Sequence, residues 1–160
     1  MRKIGFGGGC HWCTEAVFSN LLGVTSVLQG WIKSSKGDAT EFSEAVIVKF
    51  DETLMPLDVL IEIHLHTHSA TAQHSMRGKY RSAVYTFTQE QESQSEMILE
   101  EKQSLFEKPL VTKVYPFKSF QLNKEEYLHY YEKNASGAFC KRYIEPKLQL
   151  LLAKYNKYTK

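Results

Sequence analysis

Residues 3–22 read KIGFGGGCHWCTEAVFSNLL. Lys3 to Gly7 is short and apolar and ends in glycine, which predicts a strand running into a tight turn. Thr14 to Leu22 carries apolar residues at helical spacing, and Gly23 stops it. Between them stand Gly7, Gly8 and Gly9, then Cys10, His11, Trp12 and Cys13. A cysteine where a helix begins faces unpaired N–H groups and the positive end of the helix dipole, both of which favour thiolate over thiol. The competing readings of Cys-x-x-Cys are a metal clip, a redox disulfide and a small buried cysteine beside a packed tryptophan.

The same strand–turn–helix unit sets the frame for the rest. Val24 to Trp31 and Glu44 to Phe50 are β-rich, with Ser34 to Gly37 as an exposed loop between them. Leu57 to about Leu65 returns to helical spacing after Pro56, and Tyr80 to Thr88 alternates as a strand. Gln89 to about Phe106 predicts a long polar helix with Met97, Ile98, Leu99 and Leu105 inward. A short strand near Val111 to Val114 follows, then helices near Lys124 to Lys133 and Ile144 to Tyr155. This order is that of a split βαβ fold. It predicts an α+β, ferredoxin-like two-layer sandwich with a mainly antiparallel sheet and C-terminal helical additions, in one domain over 1–160.

Composition narrows the function. The 160 residues carry 20 Lys plus Arg against 18 Asp plus Glu, a balance that gives no electrostatic footprint for nucleic acid. No apolar run approaches the roughly 20 residues of a membrane span. With no leader pattern at Met1, the expectation is a soluble, cytoplasmic monomer. Three cysteines cannot all pair internally, so a secreted disulfide framework is disfavoured. Zinc sites take two Cys pairs, or one pair with two histidines. Only His64, His66, His68 and His74 offer the latter, and on a helix only His64 and His68 share a face. These histidines read as exposed residues favoured by a helix C-terminus, and no metal or cofactor is expected. Trp12 beside the nucleophile fits a pocket wall for an apolar, polarizable group, or plain core.

Gly8-Gly9-Cys10-His11-Trp12 resembles the glycine-rich Cys-Phe-Trp pattern of the peptide methionine sulfoxide reductase A family. Cys13 and Glu15 fit a branch with a second cysteine after the Trp. Gly23-Val24, Gly30-Trp31, Phe42 to Val46 ending in Phe50-Asp51, Tyr80 to Tyr85, Glu125 to Tyr127, and Cys140 through Pro146-Lys147-Leu148 resemble further blocks in order. The chain departs from the family pattern at His11 for Phe, at Trp31 for Tyr, at Leu128 for His, and in a shortened loop over Gln73 to Lys79 without the family aspartate.

The resemblance implies thiol-dependent reduction of methionine S-sulfoxide, free or in proteins. Cys10 would attack the sulfoxide sulfur and become a sulfenic acid. Glu44, at the start of an apolar strand where burial favours the protonated form, would supply the proton, and Tyr80 a second hydrogen bond. His11, Trp12 and Trp31 would line the substrate site. A thiol would then resolve the sulfenic acid: Cys13, one helical turn on, or Cys140 from the C-terminal block. A thioredoxin-like protein would be the external reductant. The alternative is a thiol-disulfide oxidoreductase using Cys10 and Cys13 alone.

Overall fold

The computed structural model describes residues 1–73 and 75–160, with backbone only at 75 and 76. Five strands form the sheet: β1 (Arg2–Gly7), β2 (Val24–Ser34), β3 (Ser43–Phe50), β4 (Ala83–Thr86) and β5 (Lys113–Leu122). β3 pairs antiparallel with both β1 and β2, β1 antiparallel with β4, and β2 antiparallel with β5. β4 and β5 run parallel. The result is a closed barrel in the order β1-β3-β2-β5-β4, not the expected open two-layer sandwich.

The reason lies in β1. Its alternation sends Ile4 and Phe6 outward to a core with Val46, Val48 and Phe50 of β3. That core is capped by helix α1 (His11–Ser19) through Val17 and Phe18, and by α2 (Leu57–His66) through Leu60 and Ile61. Gly5 faces the other way. A Cβ there would stand 2.9 Å from both Ile32 and Tyr85, so a missing side chain lets the opposite walls meet. Ile32, Ala45, Ile47, Tyr85 and Tyr115 fill this second, inner core.

Several boundaries differ from the sequence reading. β5 runs to Leu122 instead of ending at Val114; Pro116, with no N–H, sits where the strand changes partner, pairing with β4 through 116 and with β2 from 117. β4 starts at Ala83 because Arg81 N–H donates to Ser43 Oγ at 2.8 Å instead of entering a ladder. Helix α3 spans Gln89–Lys102, capped by the Thr88 hydroxyl, which accepts from Gln91 N–H. Its buried face holds Gln91 and Ser95, while Met97 and Leu105, expected inward, are 62% and 51% exposed. Gln91 donates to Lys3 carbonyl, which fixes that stripe toward the sheet.

The helix expected over Lys124 to Lys133 is broken. A single 3₁₀ turn covers Glu125–Tyr127, and α4 covers only Tyr130–Asn134, with His129 at φ 55° between them. The N–H groups of His129 and Tyr130 donate to the buried Glu15 carboxylate at 3.0 and 3.2 Å, which pulls the backbone out of helical register. A wide π turn over Cys140–Ile144 then leads into α5 (Glu145–Lys154).

Candidate active site

β1 ends and α1 begins around Gly8 and Gly9. Gly8 has φ +153°, and a Cβ on it would lie 2.4 Å from the His68 ring. A glycine is therefore required for the turn to sit on α2's end. Cys10 is the N-cap of α1, with ψ 128°, and its carbonyl accepts from Cys13 and Thr14 N–H. Hydrogen bonds from the Cys13 thiol first, then from the backbone N–H groups of Trp12 and Cys13, favour its thiolate. Against the opposing effects of burial and of Glu44, they hold the Cys10 thiol below its ordinary value. The same hydrogen bond, with burial, pushes Cys13 up. Cys140 is fully buried and also pushed up by burial. All three cysteines are free, and they share one cluster with Ala16 and Ile144.

Cys10 and Cys13 open onto a cleft of about 380 Å³, lined also by Tyr80, His68, Phe139, Tyr143 and Lys147. Tyr80 belongs to that lining, and Glu44 does not. Glu44 is buried at the start of β3, but its setting is not purely apolar. Its Oε1 accepts from His11 N–H at 3.2 Å, and Lys79 Nζ lies 3.6 Å from Oε2. The Lys79 ammonium also sits 5.1 Å from the Tyr80 ring.

The three expected substrate-site aromatics lie beside this cleft instead of in its lining. His11 is buried, its Nδ1–H donating to Gly30 carbonyl at 3.0 Å and its Nε2 accepting from Asn123 at 3.2 Å. Burial pushes its pKa down, so the ring is neutral and fully engaged. Trp31 meets it edge-on at 5.1 Å and faces Glu44 across the β2–β3 ladder. Trp12 stacks on Tyr130 at 4.0 Å and 7°, with Phe139 edge-on at 5.4 Å. Beside Tyr80, the cleft's aromatic walls come from Phe139 and Tyr143, which the sequence reading missed although they flank Cys140 at helical spacing.

The histidines are not exposed as expected. His64 is buried and donates through Nε2 to Gly7 carbonyl at 2.8 Å. His68 stacks on it at 4.1 Å, donates through Nδ1 to His64 carbonyl, and accepts from Ser82 Oγ at 2.7 Å. Burial lowers both, His68 to about 3, so both are neutral struts under the Gly7–Gly8 turn. His66 stacks on Phe106; His74 lies outside the described residues. Among the described residues no three His, Cys, Asp or Glu side chains gather as a metal site, and no helix is long and apolar enough to cross a membrane. Arg77 is a further missed residue. Its guanidinium donates to the carbonyls of Ala72, Gly8 and Tyr80, tying the loop to the turn before Cys10.

Comparison with known proteins identifies the family. The family model described as peptide methionine sulfoxide reductase matches residues 2–159. The peptide methionine sulfoxide reductase MsrA of Deinococcus radiodurans is 33% identical over 165 residues, covering 94% of this chain and 80% of that protein. The fold is similar to that of Saccharomyces cerevisiae Mxr1 in reduced form, with TM-score 0.75, 21% identity, and 87% and 88% of the two chains covered. It is also similar to Mxr1 in complex with Trx2, with TM-score 0.64, 20% identity, and 78% and 82% covered. The chain belongs to the peptide methionine sulfoxide reductase family.

Proposed function

We propose that residues 1–160 act as one reductase domain that reduces methionine S-sulfoxide, free or in proteins, and so repairs oxidised proteins. Family membership carries the reaction class: the chain is an oxidoreductase of methionine sulfoxide. The observation that carries the division of labour is Cys10 at a helix N-cap, opening to the cleft with Cys13 one turn further along.

In this reading the Cys10 thiolate attacks the sulfoxide sulfur, and the S–O bond of the substrate breaks. Glu44 passes a proton to the oxygen as charge develops there, and Tyr80 hydrogen-bonds it. Methionine leaves and Cys10 carries the oxygen as a sulfenic acid. Cys13 then closes a disulfide with Cys10, and a thioredoxin-class reductant reopens it. The Trx2 complex of Mxr1 supports that class of partner. Trp12, Trp31 and His11 act as the packed wall behind the site, with Phe139 and Tyr143 against the substrate's methyl and side chain. Cys140, in the same cluster, is the rival resolver. Three free cysteines suit the reducing cytoplasm, where we place the chain as a monomer without metal or bound cofactor. The finer fold reading is a ferredoxin-like core, β4-β1-β3-β2, whose edges β5 joins.

The test is product analysis with separated sulfoxide epimers. Wild type reduces the S epimer only, and Cys10→Ser reduces neither. Without reductant, one turnover leaves a Cys10–Cys13 linkage by mass spectrometry. Cys13→Ser still yields one methionine per chain but does not recycle with thioredoxin. Equal turnover of both epimers, or activity in Cys10→Ser, overturns the assignment; a Cys10–Cys140 linkage moves the resolving role.

A further inference from the structure

Lys147, in the first turn of α5, lines the Cys10–Cys13 cleft and is half-buried. Its Nζ donates to the Thr67 carbonyl just beyond α2. The charges and titratable groups facing it are Cys10 and Cys13 on α1 and the neutral His64 and His68 at the α2 end. Tyr80 and Tyr143 share its cleft. Among the described residues it has no carboxylate partner. A lysine withdrawn from water without a counterion is costly unless its proton or charge is used nearby.

We propose that Lys147 carries the proton between Cys13 and the oxygen that leaves Cys10 during disulfide closure. The inference rests on Cys13 being the resolving thiol. The Cys13 sulfur attacks the sulfenic sulfur of Cys10; the S–S bond forms as the S–O bond breaks. One ammonium proton of Lys147 goes to the departing oxygen, and the Cys13 thiol proton replaces it on the amine. One thiol and one sulfenic acid thus become one disulfide and one water, the oxidising equivalent having come from the sulfoxide. Burial lowers the Lys147 pKa, so its ammonium releases a proton more readily than a free lysine's. Burial also favours the uncharged thiol of Cys13, which is why closure needs a base at hand.

The experiment compares full-length wild type, Lys147→Met and Lys147→Arg in one turnover with dabsylated methionine S-sulfoxide. Methionine release and Cys10–Cys13 closure are followed separately by quenched flow. The yield of methionine reports the folded fraction of each variant. Lys147→Met slows closure about 100-fold, the scale of a lost general acid–base group, and accumulates a sulfenic acid trappable by dimedone. Lys147→Arg keeps the charge but does not exchange its proton, and it stays slow. Closure at the wild-type rate in Lys147→Met, or full rescue by Lys147→Arg, overturns the role of Lys147 alone. A wild-type Cys10–Cys140 linkage removes the resolving role of Cys13 and the proposal with it.

Discussion

Replacing Cys13 by Ala should raise the pKa of Cys10. The Cys13 thiol is the largest influence holding that value down, ahead of the two backbone N–H donors. A hydrogen bond to a charged group is worth about 1.5–3 kcal/mol. At 1.36 kcal/mol per unit, its loss moves the Cys10 midpoint upward by about 1–2 units. The thiolate fraction, and with it the first-turnover rate, falls about 10- to 100-fold at pH values below both midpoints and is unchanged above both. The matching stability effect has a definite sign. Cys10's folded pKa lies below its unfolded one, so its contribution is fully present above the unfolded value and is lost as pH falls through the folded value. The assay is iodoacetamide alkylation across pH in a Cys140→Ala background, with the Cys10 peptide read by mass spectrometry in the reference, which keeps both Cys10 and Cys13, and in each Cys13 variant. Cys13→Ser, which keeps an O–H donor, should shift the midpoint less than Cys13→Ala. A midpoint that stays put or falls in Cys13→Ala would refute the hydrogen-bond reasoning and leave the helix N-cap as the source of Cys10's reactivity.

Three further outcomes are expected. Glu44→Gln should cost about 10²–10³ in first-turnover rate, because an amide donates a hydrogen bond but delivers no proton; an unchanged rate across pH removes Glu44 from the site. Glu15→Ala should destabilise the fold by about 3 kcal/mol in urea titration, since it strands Gln29 and the N–H groups of His129 and Tyr130. Extensive dialysis against chelator should leave turnover intact; one zinc per chain lost together with activity would reverse the reading of the histidines.

The strand, glycine turn and helix around Cys10 were legible because their signals are local. Apolar alternation, glycines and helical spacing all fall within residues 3–22. The barrel was not legible, because Gly5 reads as a prelude to the turn while its structural work is to admit Ile32 and Tyr85. The C-terminal segment misled for a related reason. Nothing in Lys124 to Lys133 says that Glu15, more than a hundred positions away, takes up two of its N–H groups. Cys10, Cys13, Glu44 and Tyr80 were expected from motif and resemblance; the cleft is lined by Cys10, Cys13 and Tyr80, and Glu44 lies outside its lining. Lys147, Arg77, Phe139 and Tyr143 reach the cleft or its turn from distant segments, where their sequence surroundings are those of ordinary helix and loop. His11 was legible as a residue but not as a conformation, since its partners Gly30 and Asn123 come from β2 and the end of β5.

In the proposed mechanism, one hydrogen bond links the order of the chemical steps. While Cys10 is a thiolate, it holds the Cys13 proton, so the pair has one strong nucleophile and one protected thiol. Cys13 does not compete for substrate in that state, because its S–H is buried and committed. Once the oxygen reaches Cys10, the negative charge that held the Cys13 proton is gone. A sulfenic acid is a weaker acceptor than a thiolate, so the main influence raising Cys13 is removed at the moment Cys13 must react. In the proposed mechanism, oxidation of the first sulfur therefore releases the second, which sits one helical turn along at the start of α1. On that proposal the sequence of events is set by charge at Cys10, and the rate of the second event by whichever group takes the released proton.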